Sequence, residues 1–217
     1  MDSLHHPAHV NYVQLSGRAV TAPELSHSNH GEEFFRLFLS VPRLSGQQDI
    51  LPVLIPGRLM ADLAPAEGDY LSIIGQLRSF NNKRPEGPRL ILSVFAQELS
   101  PRYTVPLNHI RLCGTVCKAP TLRRTPLGRE ICDVILAVNR RYGRADYLPC
   151  IAWGAVAEQA AELHVGSSMA LEGRVQSRTY SKMIDGQPTE RIAYEVSIMR
   201  PLPPEDFLRG TFSDDIH

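Results

Sequence analysis

"YVQLSGRAVTAPEL" at residues 12–25 and "HIRLCGTVCKAPTL" at residues 109–122 are one pattern written twice, 97 residues apart. Superposing them pairs Gly17 with Gly114 and Ala22-Pro23 with Ala119-Pro120. Without a gap, Gly31 then meets Gly128, "FLSV" (38–41) meets "ILAV" (135–138), and Leu51-Pro52 meets Leu148-Pro149. Gly75 meets Gly173 at an offset of 98, so one insertion falls near the Gly68 and Gly166 turns. A repeat of this length sets the architecture before any single element does, because each period must be one structural unit. The 217 residues divide into a first unit at 9–105, a second at 108–202 and a short acidic tail at 203–217.

Within each unit, alternating apolar residues bounded by Gly, Pro and Asn read as short strands. In the second they fall at 109–118, 131–140, 146–153, 168–180 and 191–199. Between the third and fourth, "AVAEQAAEL" (155–163) sets Val156, Ala160 and Leu163 at i, i+4 and i+7, the period of an amphipathic helix. Three strands, a helix and two strands is the order of an OB-fold, a five-stranded, partly open barrel. The first unit repeats it with a shorter helix in "RLMADLA" (58–64). The expected class is therefore all-β, two tandem OB-fold barrels. Pro52 and Pro149 inside the third strands predict an edge or a bulge there, since proline supplies no ladder donor.

Composition narrows the function. Hydrophobic residues are 43% and charged residues 21%, ordinary for a folded soluble chain. The start, "MDSLHHPAHVNYV", has neither a basic n-region nor an apolar h-region, and no run approaches a membrane span, so a cytoplasmic protein is expected. Cys113, Cys117, Cys132 and Cys150 lack C-x-x-C spacing and read as reduced thiols; no metal or cofactor is expected. No G-x-S-x-G, H-E-x-x-H, P-loop or dinucleotide turn occurs, and His5, His6, His9, His27, His30 and His217 lie in ends or loops, which argues against an enzyme. Net charge is zero but uneven: residues 9–105 carry nine basic and nine acidic side chains, 108–202 thirteen and nine, and 203–217 one and four.

The segments "NHIRLCGTVCKAPTLRRTPLGREICDVILAVNRRY" (108–142), "ADYLPCIAWGAVAEQAAEL" (145–163), "GSSMALEGRVQSRTY" (166–180) and "YEV" (194–196) together resemble the bacterial single-stranded DNA-binding protein family. The first unit follows the same frame more loosely, as a diverged domain. The resemblance implies single-stranded DNA as ligand, a bacterial cytoplasmic, nucleoid-associated setting, roles in replication, repair or recombination, and a homodimer presenting four OB folds.

Binding single strands without sequence preference needs a cationic groove and aromatic faces on which bases stack. Tyr147 and Trp153, six apart in one strand, share a face, and Leu148 and Cys150 point the other way. Tyr142 stands among Arg140, Arg141 and Arg144; Tyr180 follows Arg178 at a position where the family carries an aromatic; Arg174, Lys182, Arg123 and Arg124 add charge. Taken alone, a tryptophan at a strand end also reads as core filling, and single arginines as a solvated surface.

The first unit reads as poor in these aromatics. Ile50 stands for Tyr147 and Pro56 for Trp153, leaving Phe80 with Arg78, Lys83 and Arg84 as a residual contact. It is expected to serve mainly assembly. The tail ends in "SDDIH", unlike the proline-phenylalanine tip with which family members dock replication or repair proteins. Two other readings remain: an assembly module similar to primosomal replication protein N, binding DNA weakly, and an RNA-binding OB protein, which would use the 2′-hydroxyl.

Overall fold

The computed structural model describes residues 9–61, 63–82, 88–101, 105–184 and 186–203. The tail from residue 204 on, Lys83, Arg84 and the histidines at 5, 6 and 217 lie outside them. In chain order the first unit contains β1 (Val10–Ala19), β2 (Glu24–Asn29), β3 (Glu32–Pro42), β4 (Gln48–Pro56), α1 (Gly57–Met60), β5 (Tyr70–Asn81) and β6 (Leu90–Pro101). The second contains β7 (Leu107–Val116), β8 (Thr121–Arg124), β9 (Glu130–Asn139), β10 (Ala145–Trp153), α2 (Ala155–Ala161), β11 (Ser168–Ile184) and β12 (Gln187–Leu202).

In the first unit β1 pairs with β3 and β5, β3 with β4, β4 in parallel with β6, and β6 with β5, closing a five-stranded ring. β7, β9, β10, β12 and β11 close the same ring in the second. With one helix between the third and fourth strands of each ring, both units are OB-folds. Alternation builds the interior: Val13, Leu15, Leu37, Leu39, Leu51, Val53, Ile55 and Ile73 fill one barrel, and Ile110, Leu112, Leu136, Leu148 and Leu171 the other, all without solvent exposure. Closure requires glycine where β1 passes over β3 and β7 over β9. A Cβ on Gly17 would run into the Ser40 carbonyl, and one on Gly114 into that of Ala137.

The barrels join through an antiparallel β1–β7 pairing that makes one continuous twelve-stranded sheet. Val13 pairs with Ile110, its own counterpart in the repeat, so a pseudo-twofold axis passes between them. Two sets of hydrogen bonds recur in the two units. Asn11 Nδ2 donates to the Leu77 carbonyl and its Oδ1 accepts from the Leu77 N–H, as Asn108 does with Val175. Gly68 and Gly166, both at φ +95, donate to Ala19 and Val116.

The sequence missed β2 and β8, which pair only with β3 and β9 and are exposed at every residue, so no burial period marks them. α1 is one turn, shorter than the expected 58–64, having no side-chain cap and no buried residue. α2 ends at Ala161 and buries Ala157 and Ala160, with Val156 and Leu163 packed at its margins. β11 and β12 run four and three residues beyond the expected ends at 180 and 199, and β12 starts four residues early, forming a longer hairpin than β5–β6. Pro52 and Pro149 precede the short parallel pairings that begin at Val53 and Cys150, where only one neighbouring strand is present. All four cysteines are free thiols, and burial pushes those of Cys113, Cys132 and Cys150 above the ordinary value.

Candidate nucleic-acid interface

β10 supplies the base of the site. Leu148 and Cys150 point into the barrel, 0% and 3% exposed, while Tyr147 and Trp153 face outward at 51% and 38%. The register extends this outer face across the sheet. Tyr147 pairs with Ala137 and Trp153 with Ile131 on β9; on the other side Ile151 pairs with Ser197, and Ser197 with Arg174. Arg174 is half-buried in that row, and its Nε has no hydrogen-bond partner among the described residues.

Around the face stand cations of two kinds. Arg141 and Arg144 lie exposed in the β9–β10 turn, closed by the Arg140 N–H donating to the Arg144 carbonyl at 2.7 Å. Between them Tyr142 takes φ +70, a left-handed conformation uncommon outside glycine, and extends its ring into solvent. Lys182 is exposed on the β11–β12 hairpin, where the Arg178 guanidinium carbon lies 5.5 Å from the Tyr180 ring centre and Arg178 Nε 3.8 Å from Glu195. Arg123 and Arg124, expected to meet phosphate, are instead ion-paired with Asp133 at 2.5 Å and Glu130 at 2.8 Å. Glu195, which the sequence reading passed over, is buried on this face and accepts from Gln176 Nε2 at 2.7 Å.

Two further arginines depart from expectation. Arg140 donates to both oxygens of buried Asp146 and to the Ser79 carbonyl of the first unit, and Arg78 donates to Asp146 Oδ2 at 3.2 Å. Burial lowers the pKa of Arg78 against the attraction of Asp146. The Ser79 N–H donates to Asp146 Oδ1 at 2.6 Å, and the Tyr147 N–H to Ser79 Oγ at 2.8 Å. Neither guanidinium is a free phosphate ligand; both hold the β5–β6 hairpin against β10.

The same clamp exists at the pseudo-symmetric place. Arg43 donates to Asp49, and to the Ser177 carbonyl at 3.1 Å; the Ser177 N–H donates to Asp49 Oδ1 at 2.8 Å, and the Ile50 N–H to Ser177 Oγ at 3.2 Å. Each unit therefore extends its hairpin onto the third strand of the other. Tyr147 is brought beside the first unit's hairpin, whereas Tyr180 lies on a hairpin clamped to the first unit's β4. The clamp had a sequence signal, since Arg43/Arg140 and Asp49/Asp146 are kept at the 97-residue offset.

The first unit is not poor in aromatics. They stand on β3 and β6 instead of β4: Phe34, Phe38 and Phe95 lie on the outer face, away from the places of Tyr147 and Trp153 in the repeat. Phe34 is buried, and Phe38 and Phe95 are half-buried. His27 stacks on Phe34 at 4.9 Å, Phe34 packs against Phe95 at 6.1 Å, and Arg36 and Arg78 each lie 5.8 Å from the rings of Phe38 and Phe95.

The profile of the Single-strand binding protein family matches residues 107–200. Single-stranded DNA-binding protein B of Bacillus subtilis is 36% identical over 107 residues, which are 45% of this chain and 95% of that protein. Single-stranded DNA-binding protein 2 of Listeria innocua is 36% identical over 105 residues, 44% of this chain, and the match spans 65% of that protein's length. Among solved structures, the wild-type single-stranded DNA binding protein from Thermus aquaticus superposes with a TM-score of 0.73 over 90% of this chain and 93% of that one, at 24% identity, a likeness of fold.

Proposed function

Since the chain belongs to the single-strand binding protein family, we propose that it coats and protects single-stranded DNA without sequence preference, mainly on the outer face of the second OB domain. It is a binding protein and not an enzyme. The observation that carries this reading is the pair of open rings on β10, Tyr147 and Trp153, with Arg141 and Arg144 exposed beside the same strand. Bases stack on the rings, whatever their identity, because every base has a π-face; phosphates meet the cations. Arg174 supplies a charge between the strands and Lys182 one on the hairpin. The first domain, with Pro56 and Ile50 on β4 and Phe34 packed between His27 and Phe95, serves chiefly to build the particle, a homodimer with four OB folds working in replication, repair or recombination in a bacterial cytoplasm.

Titration with oligo-dT, oligo-rU and duplex DNA at two salt concentrations tests this. Oligo-dT binds tightest, and its affinity falls with salt at about −0.7 per phosphate neutralised, in log–log units. Preference for duplex or a salt-insensitive affinity contradicts the reading, and preference for oligo-rU favours an RNA-binding protein. Light scattering tests the assembly: a monomer at micromolar concentration contradicts the four-barrel particle.

A further inference from the structure

We propose that the binding face of the second domain is completed by the first, with Phe80 at the end of β5 acting as a base-stacking platform beside Tyr147 and the clamp of Arg140, Asp146 and Ser79 fixing its place. This rests on the single-strand reading above and adds to it a site that neither domain possesses alone.

Three observations carry it. Ser79 is tied to the second domain through its N–H, its carbonyl and its hydroxyl, to Asp146, Arg140 and the Tyr147 N–H respectively. Phe80 is the next residue, so its position is set by the strand that carries Tyr147. Phe80 is 38% exposed at the open end of β5, beside exposed Asn81 and Ile91, and the Arg140 guanidinium carbon lies 5.4 Å from its ring centre. A cation over the π-face orients the ring and leaves an exposed surface for a base. The third observation is the asymmetry of the two clamps. At the place of Phe80, next to Ser177, the second domain carries Arg178. The exchange of hairpins thus places Phe80 at the second domain's β10, whereas Arg178, its guanidinium over the Tyr180 ring, takes the corresponding place at the first domain's β4. Arg140, Asp146 and Ser79 are positioning residues here, acting through Phe80 and Tyr147.

The test uses the full chain and fluorescein-labelled oligo-dT read by anisotropy. Phe80→Ala weakens binding about five-fold or more, the lower end of what one stacked base contributes. Phe80→Leu, which keeps an apolar side chain, weakens it comparably, and Phe80→Trp restores it. In a Trp153→Phe background, the indole introduced by Phe80→Trp is quenched as oligo-dT binds. Wild-type affinity in Phe80→Leu, or an unquenched indole while anisotropy reports binding, overturns the composite site and leaves the single-strand reading standing. No binding by the unaltered protein would remove that reading and this inference with it.

Discussion

The two domains have nearly the same inside and different outsides. Val13 and Ile110, Leu15 and Leu112, Leu39 and Leu136, and Leu51 and Leu148 occupy equivalent places with no solvent exposure. On the outer faces, Phe34 packs between His27 and Phe95 in the first domain, while Trp153 and Tyr147 stand open in the second. Interior positions are constrained by close packing, where lost volume is felt at once. Outer positions are free to diverge, so a duplicated domain changes its task there first. The clamps lie between these cases. Both domains keep the Arg–Asp–Ser geometry, but Asp146 holds two arginines where Asp49 holds one.

That last difference gives the largest expected effect. Asp146→Ala leaves two largely buried guanidiniums unpaired and destabilises the fold by about 3–5 kcal/mol in urea unfolding, the usual consequence of removing one partner from a buried ion pair. Asp49→Ala costs less. Equal losses would mean that the clamps are equivalent and Arg78 adds nothing. Next come substitutions that impose the first domain's residues on the second. Tyr147→Ile removes a stacking ring, worth roughly 1–3 kcal/mol or about five- to 150-fold in oligo-dT affinity, and Trp153→Ala, at the place where the first domain has Pro56, removes the other ring with a loss in the same range. Ile50→Ala leaves affinity near wild type; a comparable loss there would place binding on both faces. Arg141→Leu and Arg144→Gln, again the first domain's residues, each reduce the salt slope by about 0.7 if each neutralises one phosphate, and unchanged slopes would remove them from the strand's path.

The smallest effect concerns His109, whose counterpart across the pseudo-axis is Tyr12. Burial holds its imidazole below the ordinary histidine value against the pull of Glu172, with Arg111 and Arg200 reinforcing the depression. The unfolded chain takes up this proton first as pH falls. The stability tied to the neutral imidazole is therefore full above about 6.5 and declines below it. His109→Gln flattens the fall in melting temperature between about pH 7 and about pH 5.5; an unchanged slope assigns the effect to other groups.

The fold was legible because its signals are periodic. Leu148 and Cys150 against Tyr147 and Trp153 gave the orientation of β10, and the 97-residue offset gave the second barrel from the first. β2 and β8 were not legible, since strands exposed on both faces leave no alternation. In the site, the rings of β10 followed from parity, but the partners of the arginines did not. Nothing local in "NRRYGR" says that Arg140 turns back to Asp146 while Arg141 faces solvent, because the choice is made by Ser79, 61 residues earlier in the chain. The packing of Phe34 and Phe95 was not legible because their neighbours, His27 and Arg78, come from β2 and β5.

The central claim, that the second domain's open face carries the strand, is tested most directly by the fluorescence of Trp153, the chain's one tryptophan. Titrating the full protein with oligo-dT while following binding independently by anisotropy should quench this emission in step with occupancy. Binding that leaves the emission unchanged would contradict the account, placing the strand away from β10.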